Sequence, residues 1–355
     1  MKQLTALALS LTLALGLLSG CGAKDDGQKE PAGELNLYTW DNLYSKEVLD
    51  GFTEETGIKI NYSSFDSNET MLAKLEASKG GDYDLVLADD YIIDMAIQEG
   101  LVQKLDKEQL PNFKNLNPAY QGQYFDPDDA YTVPFGAGVQ TIAYHPDLVD
   151  IEIRGFDDLL DPSLRDSIGI TNNTRVLHGM ALISMGKSVN EEDPAVLQQV
   201  GEKMKQLAPN IRFIKDDNPQ DDLIAGEIAV GLLYTSQVTQ ACIANPDLKV
   251  VYPEEGVGFG VMSQFIPSHA PHAKEAHLFL DYMMRPEVAK EAAQAAGYYC
   301  TNQAADPLID EEYRELLTLP EELKMEEMEM ARMVSPEAMD LHALLWTEFR
   351  TACGQ

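Results

Sequence analysis

The stretch from Leu35 to Tyr91 constrains this chain more than any other, because it alternates strand and helix three times over. Residues 35–39 (LNLYT) are an alternating apolar run that ends at Trp40. The spacing in SKEVLDGFTEETG predicts a helix with Ser45 as its cap, Val48, Leu49 and Phe52 on one face, and Gly57 as its stop. Residues 58–62 read as a second strand. SNETMLAKLEASKGG reads as a second helix, with Met71, Leu72 and Leu75 inward and Gly80-Gly81 at its end. Residues 84–88 (DLVLA) form a third strand whose nearly unbroken apolar run suits burial on both faces. A repeated β-α-β unit implies a parallel sheet, and ligands of such sheets bind beyond the carboxyl ends of the strands. Trp40 and Asp41 emerge there after the first strand, and Asp89, Asp90 and Tyr91 after the third. An indole, a phenol and carboxylates at one sheet edge make a site for a small organic cation, or else the two rings simply cover the sheet end.

The rest of the chain repeats this logic. Residues 91–105 begin as a helix ending near Gly100, and a connector rich in Asn and Pro follows. AYTVPFGAGVQTIAYHP carries two apolar runs broken by Pro134 and by Gly136-Ala137-Gly138, predicting strands that cross to a second lobe with glycines near a hinge, or an ordinary turn. Residues 156–171 read as a short helix and a strand, 175–186 and 193–209 as helices, and 228–234 (IAVGLLY) as a central strand with Tyr234 at its carboxyl end. KVVYP and GVGFGVMSQFIP, one long helix from HAKEAHLFLDYMMRPEVAKEAAQAAG, a GYYCTN loop and an acidic helical tail from about Glu311 complete the order.

The N-terminus reads as an export signal over 1–20: a lysine, then apolar residues 4–18, too few to span a bilayer comfortably. Leu18-Ser19-Gly20-Cys21 resembles the lipobox of bacterial lipoproteins, in which the cysteine is lipidated. An ordinary secretory peptide with an incidental cysteine is the alternative. Residues 21–33 lack apolar periodicity and read as a flexible tether. The 59 acidic residues against 26 basic ones, a formal charge of −33, argue against nucleic acid and against anionic lipid head groups. Cys242, Cys300 and Cys353 match no zinc spacing, and their odd number leaves both a disulfide and free thiols open.

LYTW, then FTEETGIKINYSSFDSNETMLAKL, then YDLVLADDYIID resemble the bacterial extracellular spermidine/putrescine-binding proteins of ATP-driven importers. DNPQDDLIAGEIAVGLLY and FLDYMMRPEVAKEAAQAAGYY point the same way, so the resemblance covers nearly all of the mature chain. It implies an α/β, two-lobed periplasmic-binding-protein-like fold of type II, each lobe a mostly parallel sheet flanked by helices, with the ligand cleft between them. The first lobe would take 34–138 and about 264–305, the second 139–263 and about 306–355. The implied function is capture of a small amine for a membrane permease and ATPase, by a monomer attached to the outer face of the cell membrane through lipid at Cys21 alone. No cofactor or metal is implied. The family's ligand-binding positions fall on Trp40, Asp89, Tyr91, Asn173, Tyr234 and Tyr298, and its cleft glutamine falls near Arg332. Its carboxylates do not carry over: they fall near Asn173, Val176 and Met262. A buried ammonium needs a charge partner. Asp89, with Asp41 or Asp90, could replace one of them, and an arginine in the cleft would suit an acid group. A zwitterionic amine, an amino acid or an aminophosphonate, is therefore the alternative guest.

Enzyme signatures are not evident. No His/Glu spacing fits a zinc hydrolase, Ser236 lacks a G-x-S-x-G elbow, and Gly256-Val257-Gly258-Phe259-Gly260 lacks the lysine of a phosphate loop. No catalytic residue is expected. An exported enzyme or a ligand sensor on the same scaffold remain the competing functions.

Overall fold

The first β-α-β unit forms as its pattern requires. β1 (Gly33–Trp40) lies between β2 (Ile58–Phe65) and β3 (Leu85–Ala88) and runs parallel to both. Ser45 caps α1 (Lys46–Thr56) by accepting from the Val48 N–H, and Gly57 closes the helix in the left-handed conformation. Ser67 caps α2 (Asn68–Ser78), whose left-handed end residue is Lys79, one position before the expected glycine pair. α3 (Asp90–Gln98) starts directly after the third strand. This is a computed structural model that describes residues 32–355 apart from 42, 66, 216–217, 322 and 324–327. The expected export signal, Cys21 and most of the expected tether lie outside the described residues. The tether is shorter than its composition suggests: β1 already includes Gly33, and the Ala32 N–H donates to the Gly57 carbonyl at 2.9 Å.

The chain continues through β4 (Thr132–Tyr144), β5 (Ile168–Ile170), α4 (Thr174–Ser184), α5 (Pro194–Leu207), β6 (Ile211–Ile214), α6 (Pro219–Ile224), β7 (Val230–Tyr234), α7 (Thr235–Ala244), β8 (Lys249–Val251), β9 (Phe259–Phe265), α8 (Ala273–Met283), α9 (Pro286–Ala296), β10 (Tyr299–Cys300), α10 (Glu311–Leu316) and α11 (Pro336–Ala352). The long helix expected over 272–297 is two, because Pro286 has no N–H to continue a helix and instead opens the next. Part of the expected GYYCTN loop is a short strand, β10, antiparallel to β4.

Strand order is β2-β1-β3-β9-β4-β7-β5-β6, with β8 and β10 also on β4. β5 is parallel to β6 and β7, while β9 is antiparallel to β3 and β4. β4 is one continuous strand, not two runs broken at Pro134 and the glycines. Pro134 is absorbed by a register shift between Pro134 and Gly136. From Thr132 to Val139 this strand pairs with β9, and from Gln140 to Tyr144 it pairs with β7. One strand therefore serves two half-sheets, and the change of partner falls between Val139 and Gln140.

Helices cover both faces of each half. α1, α8 and α9 bury Phe52, Phe279 and Leu280 against Leu35, Leu37 and Leu85, while α2 and α3 bury Met71, Leu75 and Ile93 against Val86 and Val261. In the other half α4, α5 and α11 pack Leu177, Leu197 and Phe349 onto Ile142, Ile170 and Leu232, and α6 and α7 cover Ala143 and Leu233. β9 pairs with the first half along its whole length, and Tyr313 of α10 donates to the Ala293 carbonyl of α9 at 2.8 Å.

Candidate ligand site at the strand ends

The end of β3 builds an acidic wall. Asp89 occupies the cap position of α3 but makes no capping bond with its side chain. Its carboxylate accepts from Nδ2 of Asn68 at 2.7 Å instead. The same amide nitrogen donates to the Tyr91 hydroxyl at 3.1 Å, and that hydroxyl donates to Glu69 at 3.2 Å. Asn68, buried at the start of α2, thus gathers Asp89 and Tyr91 into one cluster. Burial raises the Asp89 carboxyl above its usual value against the lowering effect of the Asn68 bond. Burial pushes the neighbouring Asp90 carboxyl up to about 8, and the Asp89 charge beside it adds to the shift. Among the described residues neither carboxyl meets a Lys or Arg within ion-pair distance. An arriving ammonium would supply the missing countercharge. Trp40, at the end of β1, packs on Phe65 with ring centroids 4.7 Å apart, and its carbonyl accepts from the Tyr62 hydroxyl.

The other wall has a different chemistry. Asn173 caps α4 by accepting from the Val176 N–H at 3.1 Å, and its Nδ2 donates to the Tyr234 hydroxyl at 2.9 Å. Tyr234 ends β7, and Thr235 after it clamps the crossing strand. The Val139 N–H donates to the Thr235 hydroxyl at 2.8 Å, and that hydroxyl lies 2.9 Å from the Val139 carbonyl. Val176 is half-buried and Met262 buried, so two positions where the family resemblance places carboxylates hold apolar side chains.

Tyr298 joins the walls. Its ring lies across Gly136 and Gly138: a Cβ on either would fall 3.0 Å and 3.3 Å from Tyr298 atoms. The glycines expected near a hinge are therefore the seat of an aromatic ring. Gly297, at φ 81°, lets α9 end against α7, where any Cβ would meet the Ser236 carbonyl oxygen at 2.7 Å. Burial pushes the Tyr298 phenol up to about 12, with the Asp89 charge adding to the rise and the nearby Ser236 hydroxyl opposing it. The structure thus links Asp89 with Tyr91, Asn173 with Tyr234, and Tyr298 with both sides.

Arg332 lies apart. It is exposed, in an extended segment before α11 rather than on the tail helix, with its guanidinium carbon 4.8 Å from the Tyr124 ring centre. It borders a cavity of about 570 Å³ lined also by Gln123, Asn190, Phe259 and Met330, which none of the other expected site residues reaches. The carboxyls and rings gathered at the strand ends do not line this cavity, although Tyr124 on its wall feels the charge of Asp90. Asn68, Arg175 and Gln140 are polar residues beside these groups that the sequence expectation did not include. Arg175 donates to the carbonyls of Arg332 and Val189 and to the Asn190 side chain, while its buried Nε finds no partner among the described residues. Asn68 and Arg175 give no sequence signal beyond polarity in a helix's first turn. Gln140 gives one: a polar side chain inside an apolar run. Among the described residues no group of three His, Cys, Asp or Glu could hold a metal, and Cys242, Cys300 and Cys353 are all free thiols.

The family model described as bacterial extracellular solute-binding protein matches residues 47–320. The chain belongs to that family and is a solute-binding protein. Among its relatives is the spermidine/putrescine-binding periplasmic protein of Salmonella typhimurium, 36% identical over 84% of each chain. A spermidine/putrescine ABC transporter substrate-binding protein from Streptococcus pneumoniae superposes with a TM-score of 0.80 at 29% identity, covering 91% of this chain and all of that one. A putative spermidine/putrescine ABC transporter from Listeria monocytogenes gives 0.82, also at 29% identity, over 89% and 98%. The fold is that of two-lobed periplasmic binding proteins. Among the described residues no helix is long and apolar enough to cross a membrane.

Proposed function

We propose that this protein captures a small amine-bearing solute, a polyamine such as spermidine or putrescine, and delivers it to the permease and ATPase of an ABC importer. The observation that carries this is the Asp89–Asn68–Tyr91 cluster beside Asp90: buried carboxyls without a cation, next to aromatic rings, at the carboxyl ends of parallel strands. The names of the relatives support it. In this proposal Trp40, Asp89, Tyr91, Asn173, Tyr234 and Tyr298 contact the guest, and no residue acts catalytically. The two lobes divide where β4 changes partner, with β9 and α10 assigned to the first, so that it takes 34–139 and about 259–316, against the expected 34–138 and about 264–305. The chain works as a monomer, exported and held by lipid at Cys21.

A second guest class is favoured by Asn173, Val176 and Met262 standing where carboxylates were expected, and by Arg175 and Arg332 beyond them. A zwitterionic amine would answer both ends of such a site. Arg332 then belongs to an outer subsite with Tyr124.

Melting curves with polyamines, amino acids and aminophosphonates test the proposal. A ligand at one hundred times its Kd stabilises the folded state by about 2.7 kcal/mol. A panel that left the melting temperature unmoved throughout would sink it.

A further inference from the structure

Gln140 is the first residue of β4 to pair with β7, so it stands where the strand order switches between the two half-sheets. Crevices at such switch points are where open α/β sheets take ligands. Its direction follows from strand alternation. Ile142 and Tyr144, two and four residues on, face the core under α4, α5 and α11. Gly138, two residues back, faces the Tyr298 ring. Gln140 shares their side of the strand. Opposite it in register is Tyr234, whose hydroxyl accepts from Asn173 at the start of α4 and which therefore projects to the same side. Along the strand Gln140 therefore stands between Gly138, under the Tyr298 ring, and its register partner Tyr234. Gln140 is 95% buried, and neither its side-chain oxygen nor its side-chain nitrogen has a partner among the described residues. An amide left so is costly, and the side chain is long enough to turn elsewhere if an answering group were within reach.

We propose that Gln140 is a ligand-binding residue and that it selects a guest carrying a hydrogen-bond acceptor as well as an amine. This rests on the amine reading above and sharpens it. Whichever way the amide is turned, one end donates and the other accepts. Ammonium groups only donate, so a diamine would answer the oxygen and leave the nitrogen unpaired. A carboxamide at that end answers both, its carbonyl accepting from the nitrogen and its N–H donating to the oxygen, while a carboxylate answers the nitrogen and adds a charge that suits a basic rather than an acidic wall. Such a guest places its amine at the acidic wall and its acceptor toward Gln140.

The test is titration calorimetry of the full chain in detergent with putrescine, 4-aminobutanamide and 4-aminobutanoate. At least one acceptor-bearing compound is expected to bind ten-fold or more tightly than putrescine. Gln140→Met, which keeps the shape and removes both polar atoms, is expected to erase that preference while the unliganded melting temperature holds or rises. Putrescine binding as tightly as both others in the unaltered chain would overturn the inference and leave the amine reading standing, whether or not the variant folds. So would a variant that loses melting temperature yet keeps the preference. No binding of any of the three, nor of spermidine, would overturn the amine reading and this inference with it.

Discussion

The two walls of the site are built alike and charged differently. Each is the carboxyl end of a central strand leading into a helix: β3 into α3 on one side, β7 into α7 on the other. The first holds Asp89, Asp90 and Glu69 around Asn68 and Tyr91; the second holds Asn173 and Tyr234, with Gln140 opposite Tyr234 in register. On the proposed reading, backbone topology decides where a guest goes and a handful of side chains decides what each of its ends meets. If the further inference holds, a symmetric diamine meets one wall that suits it and one that suits it less.

Acid and base should separate the walls most strongly. Under Arg175, the rings of His178 and His342 meet with Nδ1 atoms 2.7 Å apart, both buried. Burial holds both below the usual histidine value, and His342 and Arg175 lower His178 further. Below about pH 6.5 the unfolded chain therefore binds protons that the folded chain refuses. Stability should fall with decreasing pH at about 1.4 kcal/mol per unit per proton, several kcal/mol by pH 4.5 in total. Asp90 works in the opposite sense. Its folded value of about 8 exceeds the unfolded value of about 4, so the unfolded chain loses its proton first and stability falls as pH rises between them. Denaturant titrations across pH 4.5–8.5 would register both limbs. Replacing the pair (His178→Phe with His342→Leu) should flatten the acid limb, and Asp90→Asn the other; limbs that survived would place the titrating groups elsewhere.

Gly297→Ala should come next, at about 2–4 kcal/mol of stability, because the left-handed backbone and the Ser236 carbonyl both oppose a side chain. Its affinity loss should exceed that of any other change outside the walls, since it shifts Tyr298. Asp89→Asn and Trp40→Ala should each weaken amine binding by about 1–3 kcal/mol in calorimetry, through lost charge pairing and lost cation–π contact. If the loss is equal for mono- and diamines, the acidic wall holds only one end of the guest. The smallest expected effect is the most diagnostic. Asn173→Asp gives the second wall the acid it lacks and should raise putrescine affinity by about 1 kcal/mol. No gain would mean that the walls are not opposed across one guest.

Much of the fold is legible in the order of the residues. The Ser45 and Gly57 caps, the three strands of the first unit and Tyr234 at a strand end all lie where residue types alone put them, because caps and periodic burial are local physics. The strands ending at Ile170 and Tyr234 are legible for the same reason. Pro134 points the wrong way: a proline beside glycines usually ends a strand, but pairing with β9 on one side and β10 on the other carries β4 through it. Pro286 does the reverse, ending a helix that composition makes look continuous.

The chain by itself determined the alternation of strands and helices, and with it the sheet edge where Trp40, Asp89 and Tyr91 emerge. It could not say that Gly136 and Gly138 would carry the Tyr298 ring, since that contact joins residues 160 or more positions apart. Nor could it tell that Gln140 would be sealed from solvent with both ends of its amide unmatched. Periodicity is a property of neighbours in sequence; which polar atoms find partners depends on distant segments brought together, and only the folded chain decides that.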